Sequence, residues 1–313
     1  MLTDWEFGNN TFIFEMNSSF FIMKFIVLSC SLLLVAAVLS AQDTTYYYGS
    51  DFGITTNKET AKYRRDVSYR FAGRKEIITY QLEQGEWLRI RKDKIIPRND
   101  TLLLIKRKTE SYWSDRIKRS FYPAENDLWY FRDKKGSNLL MEGTASSLVP
   151  LHIQDTLRTY YQKNQLKSLA IYNDNRMVSN QYWLPTGEKY YDNLHHFVDK
   201  EPEHNLGNVH FRAYMLQGIK ESKIDLTQIS DQVVIGWVIM KDGSTAGFHT
   251  ISGVYSQLNK TLIQLIQQMP GEWLPAELDG QPVRYYMKLP FNFSAEVDYI
   301  DNLELRGGIL FYD

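Results

Sequence analysis

Short runs of alternating apolar and polar residues, separated by turn residues, dominate the chain between residues 42 and 198. The earlier runs are Val67–Phe71, Ile77–Leu82, Trp87–Ile90, Leu102–Ile105 and Asp127–Arg132. Alternation places successive side chains on opposite faces of a strand, and none of these runs is long enough for an independent helix. The 21 tyrosines and seven tryptophans suit half-buried strand surfaces. The sequence therefore predicts a meander of β-hairpins.

From Leu128 the pattern tightens into a unit of aromatic strand, polar turn and return strand. The units contain Tyr130–Gly136, Tyr160–Asn164 and Tyr182–Gly187. Asn164 and Gly187 stand 23 residues apart, and Asn tolerates the left-handed turn conformation that usually calls for Gly. This spacing resembles degenerate MORN-like hairpin repeats, in which neighbouring hairpins must stack because none can close its own core. The resemblance implies a spacer or docking surface.

The C-terminal part has a different order of elements. Val234–Met240 alternates like a half-buried strand, Lys241–Gly243 is a hairpin turn signal, and Phe248–Ile251 supplies a return strand. Apolar residues at three- and four-residue spacings between Leu258 and Met269 then predict an amphipathic helix. A last strand follows Gly280. The apolar residues of Phe211–Ile219 predict a shorter helix ahead of the first strand.

The order of short motifs from Gly236 to Phe293 resembles the C-terminal domain of TonB, as found at the end of many secreted proteins of Bacteroidetes-type bacteria. The motifs are Gly236, Asp242-Gly243, Met269-Pro270, Trp273-Leu-Pro275, Asp279 to Val283, Leu289-Pro290 and Phe291 to Phe293. The Pro-rich stalk of full-length TonB is missing, since the nine prolines are scattered singly. The resemblance therefore implies a non-enzymatic envelope protein that uses the binding module for transport or energy coupling.

In that family the last strand of the module accepts an extended peptide of its partner by strand addition, so the resemblance implies an outer-membrane TonB-dependent transporter or another envelope protein as partner. Main-chain groups of the strand would give affinity, and side chains such as Tyr285 and Met287 would select the guest. The candidate edge strand consists of Val283, Arg284, Tyr285, Tyr286, Met287, Lys288 and Leu289. Sheet packing is the alternative role for these aromatic residues.

The N-terminal region carries an export signal. Met23-Lys24, the apolar run Phe25–Leu39 and the small residues before Gln42 predict a signal peptide cleaved after Ala41, with residues 1–22 arising from a mis-assigned start. Two alternatives are an inner-membrane anchor at residues 19–41 and a lipidation box at Val27–Cys30. We expect a periplasmic or envelope-associated protein.

Charge and cysteine content exclude some classes. Lys plus Arg total 36 against 37 for Asp plus Glu, so the chain has no electrostatic footprint for nucleic acid. The basic runs Arg89–Lys94 and Lys106–Lys108 are expected to be solvated faces. Cys30 is the single cysteine, which leaves no disulfide downstream of it.

No enzymatic motif is present: Gly-x-Ser-x-Gly, phosphate-binding glycine loops and HExxH are all missing. We therefore expect no enzyme activity, no catalytic residue, no cofactor, no small-molecule substrate and no bound metal. A metal-dependent enzyme is the alternative, and its ligands would come from His195, His196, Asp199, Glu201, Glu203 and His204.

These features predict an α+β fold, with a β-rich hairpin-repeat region followed by a small antiparallel sheet packed with one or two helices. The expected divisions are a signal (1–41), a β-rich region (42–127), the MORN-like hairpins (128–198), a linker (199–208), the TonB-like module (209–294) and a tail (295–313). A second functional hypothesis is a structural envelope scaffold, in which the module caps the hairpin array.

Overall fold

Thirteen antiparallel strands follow one another through the first part of the folded chain. A computed structural model describes residues 43–109, 113–226, 232–253 and 255–293. The strands of this large sheet, here called the meander, are β1 Thr44–Tyr48, β2 Ile54–Thr55, β3 Tyr63–Tyr69, β4 Lys75–Glu83, β5 Glu86–Asn99, β6 Leu102–Thr109, β7 Trp113–Pro123, β8 Trp129–Lys135, β9 Asn138–Leu148, β10 Leu151–Tyr160, β11 Leu166–Asn173, β12 Arg176–Trp183 and β13 Lys189–Asp192.

From β3 to β12 every strand pairs with the strand that follows it in the chain, and β1 lies between β2 and β3. Tight turns make this possible. Gln84 and Gly85 both have positive φ, as a two-residue hairpin turn of the favoured twist requires, and Asp174 and Asn175 repeat the arrangement between β11 and β12. The predicted meander of hairpins is therefore present. The sheet continues across the expected boundary between residues 127 and 128, because Phe121 of β7 pairs with Phe131 of β8.

One face of the meander is buried, and alternate residues along each strand point towards it. Aliphatic residues of β3 to β7, among them Ile95, Ile105 and Ile117, form one cluster, and Phe131 and Leu157 belong to a second. The two ends of the sheet also approach each other. The Ile54 amide donates to the Asp174 carbonyl at 3.2 Å, and the Asn175 side chain donates to the Phe52 carbonyl at 2.7 Å. The sheet therefore curls around its apolar face.

Charged residues also lie on the buried face, which corrects the expectation that the basic runs are solvated. Arg107 Nε donates to Asp93 Oδ1 at 3.0 Å, and Arg91 Nε lies 3.1 Å from Asp93 Oδ2. Burial alone would raise the pKa of Asp93, but the guanidinium groups of Arg91 and Arg107 outweigh it and hold that pKa below its ordinary value. In a strand only every second residue of a charged run faces solvent. The charged side chains between them face the protein interior and need hydrogen-bond or ion-pair partners there.

A second buried pair joins β7 to β8. Arg119 Nε and Nη2 donate to the two carboxylate oxygens of Asp133, both at 2.8 Å, and Arg119 Nη1 donates to the Leu148 carbonyl at 2.7 Å. Both side chains are at most 5% exposed. This is the bidentate geometry in which arginine and carboxylate bind each other most strongly.

The C-terminal part forms a smaller sheet that two helices cover. Its elements are β14 Leu194–His195, β15 Glu203–His204, α1 Gly207–Glu221, β16 Gln232–Ile239, β17 Thr245–Ser252, α2 Ser256–Gln268, β18 Trp273–Leu274, β19 Ala276–Leu278 and β20 Gln281–Asn292. The predicted helices and the predicted hairpin coincide with α1, α2 and β16–β17. Phe211 and Met215 of α1 and Leu262 of α2 pack with Trp237 of β16 in one core.

The predicted α+β class is wrong. Strands account for 58% of the described residues, and the described part of the chain contains only two α-helices, so the fold is mainly antiparallel β. The two predicted helices are present, but they cover a small share of a chain whose hairpins form one large continuous sheet. Everything described from Thr44 onward belongs to one compact unit.

Residues 199–208, expected to be a linker, are packed against the C-terminal sheet. The Asp199 and Lys200 amides donate to the Glu277 carbonyl, and His204 is 1% exposed. The proposed signal, the membrane-anchor and lipidation alternatives and the tail at 295–313 lie outside the described residues. Within the described ranges, no helix has the length and apolar character needed to span a bilayer.

Candidate peptide-binding edge

The long strand β20 lies inside the C-terminal sheet, whose order is β14-β20-β16-β17. Its pairing with β16 runs from Tyr285, opposite Ile239, to Asn292, opposite Gln232. The far side of β20, here called the outer edge, is the border that strand addition would use. Two of the seven candidate residues, Arg284 and Tyr285, already pair there with the protein's own backbone.

One short strand covers the beginning of the outer edge. Arg284 and Tyr285 pair in parallel with Leu194 and His195 of β14, while Val283 pairs with Ala276 of β19 in the hairpin that precedes this part of β20. Arg284 is further held by Asp192, whose carboxylate accepts from its Nη1 at 2.7 Å. Beyond Tyr285, no strand of the described residues pairs with this edge. The stretch open to a guest is therefore Tyr286–Asn292.

Proline fixes which main-chain groups point outwards. Pro290 has no N–H to give to its neighbour Val234 across the β16 pairing, and a proline inside a sheet is tolerated where its nitrogen faces an open edge. Donors and acceptors of one residue point to the same side of an antiparallel strand, and the side alternates along the chain. We infer that Tyr286, Lys288, Pro290 and Asn292 direct their main-chain groups to the outer edge.

The side chains of Tyr285 and Met287 do not reach a guest. Both are buried in the core beneath α1 and α2, with 0% and 4% exposure, together with Leu289 and Phe291. These two side chains therefore pack inside the sheet, which was the alternative role for them. Selectivity at this edge would have to come from the residues on the opposite face, where Lys288 and Pro290 are half-buried and Asn292 is exposed.

Tyr286 lies where the C-terminal sheet packs against the meander. Its hydroxyl lies 2.9 Å from His249 Nε2, its ring stacks on His249 at 4° between planes, and His196 meets it edge-on at 5.5 Å. His196 in turn shares a 2.5 Å hydrogen bond with Tyr182. Burial raises the pKa of Tyr286 well above its usual value and lowers the pKa of His196 to about 3. These groups form a neutral aromatic contact.

The opposite border of the sheet, the outer edge of β17, is covered at Gly247. The Tyr190 hydroxyl donates to the Gly247 carbonyl at 2.5 Å. A Cβ at Gly247 would lie 2.5 Å from atoms of both Tyr190 and Tyr191, and Gly247 has a positive φ of 65° that favours glycine. Two aromatic side chains of β13 therefore obstruct the middle of this border, which leaves the outer edge of β20 as the better candidate.

The residues of the metal alternative do not converge. His196 is bound to Tyr182, His204 packs edge-on against Trp273 at 5.2 Å, and Asp199 accepts from the Ser50 hydroxyl and the Asp279 amide. Across the ranges that the structure describes, no three His, Cys, Asp or Glu side chains are grouped as metal ligands.

Sequence reasoning missed the strand that covers the first part of the outer edge. β14 has two residues, which is too short for any periodicity, and it meets β20 across a long stretch of chain. Comparisons with protein-family models, with curated proteins and with solved structures find no match for this chain.

Proposed function

We propose that this protein is a non-enzymatic binding protein of a bacterial cell envelope. It takes up an extended peptide of an envelope partner by strand addition to the outer edge of β20. The proposal is supported by one observation above all: β14 covers the edge at Arg284 and Tyr285, and no strand of the described residues pairs with it from Tyr286 to Asn292. The resemblance of residues 236–293 to TonB C-terminal domains points to the same strand.

The geometry indicates where an added strand would begin and in which direction it would run. β14 ends at His195, opposite Tyr285, so an added strand would continue the line that β14 begins. Main-chain hydrogen bonds would supply affinity with little dependence on sequence, each worth about 0.5–1.5 kcal/mol net. Lys288 adds a positive charge beside the edge and favours a guest with acidic residues.

Photocrosslinking in cells tests the proposal. A photoreactive residue at Asn292, exposed at the end of the outer edge, should capture a defined segment of an envelope protein, identified by mass spectrometry. The same residue at Ile251 on β17, which is 39% exposed, is the matched control and should not capture that segment. The captured segment is then made as a synthetic peptide, and its binding to the purified protein is measured.

Two prolines of the same strand sharpen the test. Pro290→Ala adds an N–H to the outer edge, so the peptide should bind up to about tenfold more tightly, which corresponds to one hydrogen bond. Pro282→Ala lies before the part of the strand that β14 covers and outside the open stretch Tyr286–Asn292, and it should leave affinity unchanged. Equal capture from Asn292 and Ile251, or a peptide affinity that neither proline substitution alters, would contradict strand addition at this border.

Envelope localisation has its own measurement. The proposal expects a mature N-terminus at Gln42 in cells that export the protein, measured as intact mass. A mass that includes residues 23–41 would instead favour an anchored protein.

A structural scaffold is a second candidate, because the C-terminal sheet is firmly joined to the meander. Arg284 binds Asp192, Tyr190 binds Gly247, and Arg176 pairs with both Asp51 and Asp279. If capping the meander is the main role, a chain lacking residues 230–313 should lose hydrogen-exchange protection throughout β3–β12. A tethered binding module would leave that protection in place.

A further inference from the structure

The curled meander encloses a cavity of about 250 Å³ between its buried face and the C-terminal sheet. We call it the meander cavity. Aliphatic side chains such as Ile95, Ile105 and Leu157 form much of its wall, and β3–β7 and β9–β12 contribute to it. Lys288 of β20 also reaches it, so the cavity lies where the two sheets meet.

Charge in the meander cavity is strongly one-sided. The basic side chains that line it are Arg65, Arg91, Arg107, Arg119, Lys167 and Lys288, and the acidic ones are Asp51 and Asp93. Asp93 is already shared by two arginines, and Asp51 pairs with Arg176. Asp133 of β8 neutralises the charge of Arg119. An excess of positive charge is thus held among aliphatic side chains.

Arg65 is the basic residue best placed to bind a ligand. It is 7% exposed, and its Nε has no hydrogen-bond partner within the described ranges. The carboxylate whose pKa the charge of Arg65 lowers is Asp93, which is already ion-paired with Arg91 and Arg107. The Arg65 guanidinium is held by the rings of Tyr48 and Phe52, at 4.8 and 5.4 Å, and by a 3.5 Å contact with the Leu151 carbonyl. Burial and then the charge of Arg65 lower the pKa of His152 to about 4, so this neighbour adds no competing charge.

A buried guanidinium that must share its counter-charge with two other arginines is costly, and an anion that binds it lowers that cost. We propose that the meander cavity binds a small organic anion with an apolar body, its anionic head at Arg65 and its body against the aliphatic wall. An engineered cavity of about 150 Å³ holds one benzene molecule, so by proportion this one suits a ligand of about ten non-hydrogen atoms. Octanoate has that size and chemistry. The proposal does not depend on a guest at the outer edge of β20, although Lys288 lies beside both sites.

Calorimetric titration of the purified full-length protein tests the proposal with three probes of equal length: octanoate, octanol and octylammonium. Octanoate should bind at one site and at least tenfold more tightly than octanol, while octylammonium should not bind. Arg65→Met should weaken octanoate binding by tenfold to about a hundredfold, the range expected when a charge-assisted hydrogen bond is lost. Arg65→Lys keeps the charge and should restore much of the affinity.

Arg89→Met is the matched control, because Arg89 is an exposed arginine of β5 and should leave binding unchanged. If Arg65→Met fails to fold, a diazirine-bearing octanoate decides the question in the unaltered protein. Labelling of residues 140–157 supports the site, whereas labelling confined to exposed residues such as Phe71 overturns it. Equal affinity for the three probes, no octanoate binding at millimolar concentration, or unchanged binding by a folded Arg65→Met protein would each refute the proposal.

Discussion

The buried pair between Arg119 and Asp133 allows the electrostatics of the meander to be tested quantitatively. Asp133→Leu replaces the carboxylate with an apolar side chain of similar size and leaves the Arg119 guanidinium, 5% exposed, without its bidentate partner. Removing one member of a buried ion pair costs about 3–5 kcal/mol, because the remaining charge stays in a medium of low dielectric constant. A whole domain is stable by about 5–15 kcal/mol, so the loss is readily measured.

The double variant makes the prediction specific. In Arg119→Met/Asp133→Leu both charges are gone, and the main remaining loss is the hydrogen bond from Arg119 Nη1 to the Leu148 carbonyl. An unsatisfied buried carbonyl costs about 1–3 kcal/mol. The double variant should therefore be more stable than Asp133→Leu by about 2 kcal/mol, the difference between the midpoints of these two ranges.

Urea unfolding at pH 7, followed by tryptophan fluorescence and circular dichroism, supplies the free energies. Arg132→Met is the control: Arg132 lies beside Asp133 on β8, its side chain is 45% exposed, and its pair with Glu142 should contribute less than about 1 kcal/mol. The reasoning is refuted if the double variant is less stable than both single variants, or if Asp133→Leu costs no more than Arg132→Met.

Further predictions concern pH, the sheet interface and the core. His152 is neutral when folded, with a pKa of about 4 against an ordinary 6.5, so protons bind the unfolded chain first. Stability should fall from pH 6.5 to pH 4, and His152→Gln should reduce that slope by about 1.4 kcal/mol per pH unit in urea titrations. Gly247→Ala should destabilise the protein by about 1–3 kcal/mol in thermal unfolding, because its Cβ meets Tyr190 and Tyr191. Phe131→Ala should cost about 3–5 kcal/mol in urea unfolding, since Phe131 is fully buried.

Local signals in the sequence predicted the elements well, because strands and helices are set by periodicity. The run at Ile77–Leu82 lies within β4, and the spacing from Leu258 to Met269 coincides with α2 within a residue or two. Division into separate regions could not be predicted in this way. Nothing local distinguishes a hairpin that starts a new array from one that joins the existing sheet, as β8 joins β7.

The buried charges were missed although the sequence carries a signal for them. Asp93, Arg107, Arg119 and Asp133 each stand two residues from an aliphatic or aromatic residue of the buried face, namely Ile95, Ile105, Ile117 and Phe131. A charge in phase with the apolar residues of a strand is expected inside, and opposite charges on consecutive strands then indicate partners. Coverage of the outer edge by β14 depends on tertiary packing, which no pattern of that length encodes.

Because most strands of the meander pair with their neighbours in sequence, the sheet can assemble hairpin by hairpin with little loop-closure entropy to overcome. The long-range contacts are those that bring its two ends together, such as the hydrogen bond from Ile54 to Asp174 and the one between Tyr48 and His152 at 2.8 Å. These few long-range hydrogen bonds decide whether the strands unfold one by one from each end or all at once. A protein in which they are weakened would keep its hairpins, but its unfolding would no longer be cooperative.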